Sequence, residues 1–289
     1  MKSVKKANFH THTTFCDGRS SAEEMVQSAI AKGFDLLGFS SHCMYPFSSS
    51  WHIPVNNVEA YCAEIRRLKE VCKDKIEIRL GFEADYIPDI TCPDKNADYR
   101  DFQPDFLIGS VHYIVKEGGN FTVDDSADSV RANIAKFYTR DGDWSTLDSR
   151  SYIHDYFEAE RLMLEKGNFD IIGHPDLIRM RNCRLGIFDE NDSFYKEEVK
   201  LTADAIARAG VITEINTGAI ARGNMDALYP SDYFLGLLFE RGVPVCINSD
   251  AHDAKNLDAA FDRAAETAKK TGYKELSYPS AGRIEHIKI

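Results

Sequence analysis

The sequence predicts an α/β domain built on a parallel sheet of seven strands, open or closed into a barrel. Short apolar runs alternate with helical patterns along the whole chain. The runs are nearly continuous in Val, Ile, Leu and Phe, as strands buried on both faces are. No repeat, low-complexity block or linker divides residues 1–289, which read as one domain.

The first strand runs into Phe9-His10-Thr11-His12. In an extended chain, side chains at i and i+2 share a side, so His10 and His12 present two imidazoles together. Asp17 follows beside Gly18, which permits a sharp turn. Ser20 or Ser21 caps a helix that reaches about Lys32 and ends at Gly33. A strand at 34–40 delivers Ser41-His42, and 43–54, with Pro46, a serine run and Trp51-His52-Ile53-Pro54, is a loop. The helix expected at 56–73 places Val58, Tyr61, Cys62, Ile65, Leu68, Val71 and Cys72 on one face.

Strand 76–83 ends at Glu83, and after a loop-rich 86–104, strand 105–112 ends at His112. Helices fit 126–139 and 151–166, and strand 169–175 carries His174-Pro175. A helix at 191–209 leads to a strand at 211–216. Another at 231–241 leads to a strand at 243–248, which delivers Ser249-Asp250-Ala251-His252. The last helix spans 256–270, and the tail adds two short strands around Pro279–Gly282.

Composition narrows the class. The net charge of −11 and the absence of a dense basic cluster exclude a general nucleic-acid binder. No apolar run approaches the roughly 20 residues of a membrane helix, and no apolar signal core follows the basic Met1–Lys6. Seven scattered cysteines without a C-x-x-C pair fit unbridged thiols in a reducing cytoplasm.

One regularity decides the functional reading. Six of nine histidines (10, 12, 42, 112, 174 and 252) fall at strand ends, joined by Glu83 and Asp250, with Asp17 shortly after the first pair. Barrels and open α/β sheets place their active sites at that edge, and neutral imidazoles with carboxylates are what a divalent metal takes as ligands. His154 and His286 lack this placement and read as surface or packing residues. His52, in a loop that overhangs the strand ends, is a candidate substrate contact.

His-Thr-His…Asp-Gly, Ser-His, Gly-Phe-Glu, Ile-Gly-Ser-Val-His-Tyr, Ile-Gly-His-Pro-Asp and Ser-Asp-Ala-His occur here in the order found in the polymerase-and-histidinol-phosphatase (PHP) superfamily. The chain resembles its monofunctional histidinol-phosphatase branch most. That resemblance implies a distorted seven-stranded β/α barrel, TIM-like in outline, holding three divalent ions (Zn, Mn or Fe). By the same resemblance, one metal takes His10, His12, Glu83 and Asp250. A second takes Glu83, His112 and His174, and a third Asp17, His42 and His252. Three divalent ions, three carboxylates and one hydroxide leave a formal charge near ~+2, which a phosphate monoester dianion neutralises.

The implied reaction is hydrolysis of a small phosphomonoester, L-histidinol phosphate above all, in histidine biosynthesis. The alternatives are a PHP phosphoesterase acting on nucleotides or diesters, and a non-catalytic PHP module. Arg222 resembles the family's phosphate-contacting arginine, Arg161 is a second choice, and the sequence does not identify the leaving-group acid, for which a metal-bound water and Asp17 are the candidates. Cys16 and Cys43, although beside ligand positions, are expected to act as small apolar residues.

Overall fold

The computed structural model describes residues 6–43, 45–47, 49–280 and 283–289. The basic N-terminal stretch as far as residue 5, Met44 and Ser48 of the loop, and the turn at 281–282 lie outside the described residues. The chain runs β1 (Ala7–Asn8), α1 (Ala22–Ala31), β2 (Leu36–Phe39), α2 (Val58–Val71), β3 (Glu77–Asp85), β4 (Phe106–Ser110), β5 (Tyr113–Lys116), β6 (Gly119–Thr122), α3 (Ala127–Tyr138) and α4 (Ser149–Lys166). It continues with β7 (Ile171–Ile172), α5 (Arg179–Leu185), α6 (Ser193–Ala209), β8 (Ile212–Asn216), α7 (Gly218–Arg222), α8 (Asp232–Glu240), β9 (Val245–Asn248), α9 (Phe261–Thr271), β10 (Glu275–Ser280) and β11 (Arg283–Lys288).

Seven strands form one sheet in the order β1-β2-β3-β4-β7-β8-β9, every pair parallel. The seam between β9 and β1 is closed by side chains rather than by a regular ladder. Phe9 N donates to Asn248 Oδ1 at 2.8 Å, and Asn8 Nδ2 to Ser249 Oγ at 2.6 Å. Backbone pairing resumes beyond the strand ends, where His12 N donates to Ala251 O at 2.9 Å and Ala251 N to His10 O at 3.3 Å. The result is a distorted β/α barrel, and its closure ties the two metal-type segments of the chain's opposite ends together.

Phe106 fills the middle of that barrel because two strands carry no side chain where its ring lies. A Cβ on Gly81 would stand 2.5 Å from the ring, and one on Gly38 2.8 Å. Phe9 meets Phe106 edge-on at 4.9 Å and stacks on Tyr278 of β10 at 5.5 Å, so the β10–β11 hairpin plugs the barrel at the end away from the ligands. A second apolar layer lies between the strands and helices, and α2 contributes Val58, Tyr61, Cys62, Ile65 and Leu68 to it. Val71 does not join them. The helix ends at that residue, which is left 68% exposed.

At the start of α1, Ser21 Oγ accepts from Glu24 N while Glu24 Oε2 accepts from Ser21 N, a closed capping box. Three elements depart from the sequence expectation: the hairpin β5–β6 and the short helices α5 and α7, all in segments following a strand end.

One buried acid in the helical layer makes a stability prediction. Glu160 of α4 is 1% exposed, and its Oε1 accepts from Tyr156 Oη at 3.0 Å while Oε2 has no partner. Burial, reinforced by Asp176, pushes its carboxyl up from 4.5 to about 8. A folded-state pKa above the unfolded one stabilises fully below the unfolded value and less as pH rises through the folded value. Wild type should therefore lose stability relative to Glu160→Gln between pH 4.5 and 8, by roughly 2–4 kcal/mol at the upper end. Thermal unfolding of both proteins across that range checks it. A melting-temperature difference independent of pH would show that Glu160 ionises normally.

Candidate metal centre

The eight residues singled out at strand ends, and Asp17 after the first of them, converge at one mouth of the barrel, as the parallel register dictates. Glu83, near the end of β3, stands in the middle. Its Oε1 lies 2.8 Å from His174 Nε2 and 3.6 Å from His112 Nε2. Its Oε2 lies 3.0 Å from His10 Nε2, 3.4 Å from His12 Nε2 and 3.1 Å from His42 Nδ1. One carboxylate thus presents an oxygen to each of two groups of imidazoles. Asp250 Oδ1 lies 3.2 Å from His12 Nε2 and 3.7 Å from His10 Nε2. At the outer side, Asp17 Oδ2 is 3.2 Å from His252 Nε2 and Asp17 Oδ1 is 3.8 Å from His42 Nε2.

These side chains make four overlapping groups able to hold a metal ion: Glu83–His112–His174, His10–His12–Glu83, His10–His174–Asp250 and His12–Asp17–His42–His252. The Glu83–His112–His174 group has the composition the resemblance implies for the second metal. The first metal's expected set is spread over two groups. His12 joins the third set through its other ring edge, its Nδ1 lying 3.9 Å from Asp17 Oδ1.

Unpartnered atoms test whether such ions fit. His10 Nε2, His12 Nε2, His42 Nδ1 and Glu83 Oε2 are all buried without a hydrogen-bond partner. Leaving four polar atoms unsatisfied in one small volume costs about 1–3 kcal/mol each, and divalent cations are the ligands that nitrogen and carboxylate donors of this geometry accept.

Two of the other ring nitrogens, His10 Nδ1 and His112 Nδ1, are held by a surrounding layer. Glu214 Oε2 accepts from His10 Nδ1 at 2.9 Å, and is itself held by Asn248 Nδ2 at 2.9 Å. Glu214 Oε1 accepts from His174 N and Asn216 Nδ2, each at 2.7 Å. Asp85 Oδ1 accepts from His112 Nδ1 at 2.7 Å. Such carboxylates fix which imidazole nitrogen faces the centre.

Electrostatics follow the same plan. Burial alone would lower His10, but Glu214, Glu83 and Asp250 raise it well above the ordinary value. Burial works against His112 too, yet Asp85 brings it up to about 10. Burial and His252 push His12 down to about 4, and burial pushes His42 down as well. Burial opposes ionisation of Asp17, Glu83 and Asp250. Histidines around all three, and Arg222 beside Asp250, nevertheless hold them well below the usual carboxylate range.

Arg222, at the end of α7, reaches the same mouth. Its Nη2 donates to Asp250 Oδ2 at 2.8 Å and its Nη1 to Asp250 O at 2.7 Å. Gly218 makes the room: a Cβ there would stand 2.8 Å from Arg222 Nη2 and 2.9 Å from Asp250 Oδ2. Arg161 is not brought to the site. It lies on α4 and pairs outward with Glu198 of α6 at 2.7 Å, because the inward positions of that turn belong to Glu160 and Tyr156.

His52 is buried under the mouth, 3.8 Å from Asp85 and against Tyr45. Its neighbour Trp51 lines the cavity instead. Cys16 Sγ approaches His12 Nδ1 at 3.7 Å, and burial pushes its thiol up to about 11, so it stays an uncharged neighbour. All seven cysteines are unbridged. The cavity above the centre holds about 420 Å³ and is lined in part by Trp51, Asp124 and Arg222.

A parallel barrel with a polynuclear histidine–carboxylate centre at the C-terminal ends of its strands defines a metal-dependent hydrolase. The chain belongs to the PHP domain family, whose model matches residues 8–218. It is 26% identical over 293 residues to histidinol-phosphatase from Lactococcus lactis, covering 99% of this chain and 98% of that one. Among solved structures, it is similar to HisK from Listeria monocytogenes, with a TM-score of 0.75 and 21% identity over 89% of this chain and 99% of that one. It is also similar to histidinol phosphate phosphatase from L. lactis, with a TM-score of 0.68 and 21% identity over 98% of this chain and 100% of that one.

Proposed function

We propose that this protein hydrolyses a phosphate monoester, L-histidinol phosphate, to L-histidinol and phosphate, a step of histidine biosynthesis. The observation that carries the reading is Glu83, which offers one oxygen to His112 and His174 and the other to His10 and His12. A shared carboxylate between imidazole pairs suits a centre of several ions. The Lactococcus relative bears the name histidinol-phosphatase, and its solved structure is a complex with zinc, L-histidinol and phosphate. We read residues 1–289 as one unit because the segment after β9, beyond the family match, supplies Asp250 and His252. Unbridged cysteines fit a cytoplasmic setting, and no helix is long and apolar enough to cross a membrane among the described residues.

In this reading His10, His12, Glu83 and Asp250 hold one ion, Glu83, His112 and His174 a second, and Asp17, His42 and His252 a third. Zn, Mn and Fe(II) all suit such mixed donors. When bound, the ions supply an activated water and charge on the phosphoryl oxygens. The protein's own residues do the positioning. Glu214 and Asp85 fix the tautomers of His10 and His112. Arg222, anchored through Asp250, offers its guanidinium to phosphoryl oxygens entering the cavity. Asp17 serves better as a ligand than as the leaving-group acid, because its neighbours keep it ionised.

The test is phosphate release across L-histidinol phosphate, nucleotides, sugar phosphates and an aryl diester, with kcat/KM for each and metal content on the same preparation. Histidinol phosphate should lead by at least about tenfold. A higher kcat/KM on a nucleotide or diester would overturn the assignment.

A further inference from the structure

Arg222 stands on a loop whose base is pinned by main chain. Asn216 N donates to Tyr229 O at 2.7 Å, and Tyr229 N donates to Asn216 O at 3.1 Å. Residues 217–228 therefore close on themselves, with α7 inside. The near leg is fixed from the centre: Asn216 Nδ2 donates to Glu214 Oε1 at 2.7 Å, and Asn216 Oδ1 accepts from Gly218 N at 2.8 Å. The far leg, residues 228–231, is fixed from outside, by the segment that follows His174.

Arg179, the first residue of α5, donates from Nη1 to Leu228 O at 3.1 Å. Asp176 Oδ2 accepts from Ser231 N at 2.8 Å. These two side chains also face each other, with Arg179 Nη1 3.6 Å from Asp176 Oδ1, and Glu190 Oε2 accepts from Arg179 Nε at 2.8 Å. Both are buried, Arg179 at 7% and Asp176 at 0% exposure. A buried ion pair often adds no net stability over an apolar pair of the same volume, because both charges give up their water. What it supplies here is direction. A planar guanidinium that serves two carboxylates and a carbonyl together is held in a narrow range of poses. Arg179 lines a different cavity from that of the metal centre, beside Tyr195 and Lys196, so its part in any chemistry is indirect.

Resting on the phosphate-binding reading of Arg222 above, we infer that Arg179, with Asp176, is a positioning residue for phosphoryl binding. It holds the 228–231 leg and, through the Tyr229–Asn216 pair, the loop from which Arg222 reaches Asp250 and the cavity.

The experiment is a double-mutant cycle at saturating metal: wild type, Arg179→Lys, Arg222→Ala and the double variant. It reads kcat/KM for L-histidinol phosphate and the dissociation constant of inorganic phosphate, with metal content and circular dichroism on each protein. Lysine keeps a charge beside Asp176 but cannot serve Glu190 and Leu228 O together. Arg179→Lys should lower kcat/KM and weaken phosphate binding about 5- to 30-fold, a part of the Arg222 effect, at unchanged metal content. In the Arg222→Ala background the same change should cost less than about twofold, because the group it positions is gone. A residue that only supports the fold costs the same factor in both backgrounds, and that result overturns the inference. Wild-type phosphate binding in folded Arg179→Lys overturns it too. Asp176→Asn, which slackens the same leg at Ser231, should repeat the pattern, and it decides alone if Arg179→Lys does not fold. An ester left intact by metal-loaded wild type would bring down the substrate reading only, since the phosphate cycle needs no turnover. Failure of that protein to bind phosphate would bring down both.

Discussion

Glu83→Gln should cut metal content by more than any other single ligand substitution and abolish turnover. The amide keeps the volume and one acceptor oxygen, so the barrel should stay folded. It loses the charge that two groups of imidazoles share: the Oε1 side facing His174 at 2.8 Å and the Oε2 side facing His10 at 3.0 Å. Its Nε2 would also turn a donor toward nitrogens that need a cation. One substitution therefore weakens two positions, whereas His12→Ala or Asp250→Ala removes a donor while leaving Glu83 in place. Activity should fall at least about 1,000-fold, near 4 kcal/mol of transition-state stabilisation. Elemental analysis and phosphate release, measured on the three variants with circular dichroism to confirm folding, decide it. Full metal content in Glu83→Gln would show that the carboxylate does not bridge.

The cluster was legible in the chain because its residues obey local rules. An i, i+2 pair at a strand end, as in His10 and His12 or Asp250 and His252, points one way in any extended segment, and a parallel sheet brings every such end to one edge. All seven sheet strands were readable for the same reason: each is a short apolar run bounded by helices or loops. What escaped depends on partners distant in sequence. Glu214 and Asp85 look like ordinary polar residues in strands. Only the closed barrel brings Glu214 to His10, 204 positions away. A glutamate enclosed in Ile212-Thr213-Glu214-Ile215 was still a signal, since a carboxylate in a strand buried on both faces needs a partner.

The β5–β6 hairpin was written in Tyr113–Lys116 followed by Glu117-Gly118, where the positive φ of Gly118 makes a two-residue turn that Gly119 closes by pairing with Lys116. Its strands are four residues each and partly exposed, so neither shows the continuous apolar run that marks the sheet strands. Arg161 shows the converse error. Its neighbour Glu160 is buried, and on a helix adjacent residues point about 100° apart, so a position close to the core in sequence faced α6 instead.

Arg222→Ala should lower kcat/KM for the phosphomonoester about 30- to 1,000-fold, the cost of one charge-assisted contact of roughly 2–4 kcal/mol. The structure adds a second consequence. The guanidinium binds both Asp250 Oδ2 and its carbonyl oxygen, holding that residue at a φ of +50° while Oδ1 faces His12 at 3.2 Å. Removing it should weaken metal affinity at Asp250 as well as phosphate binding, so the two effects have to be measured apart. At saturating metal, a clamp residue still shows reduced kcat/KM and weaker inhibition by inorganic phosphate, whereas a residue that only holds Asp250 recovers both. Arg222→Lys should recover part of the metal affinity through its charge but little of the phosphate contact, because an ammonium cannot reproduce the planar fork. Near-wild-type kcat/KM and phosphate inhibition in Arg222→Ala at saturating metal would leave Arg222 as a support for Asp250 alone.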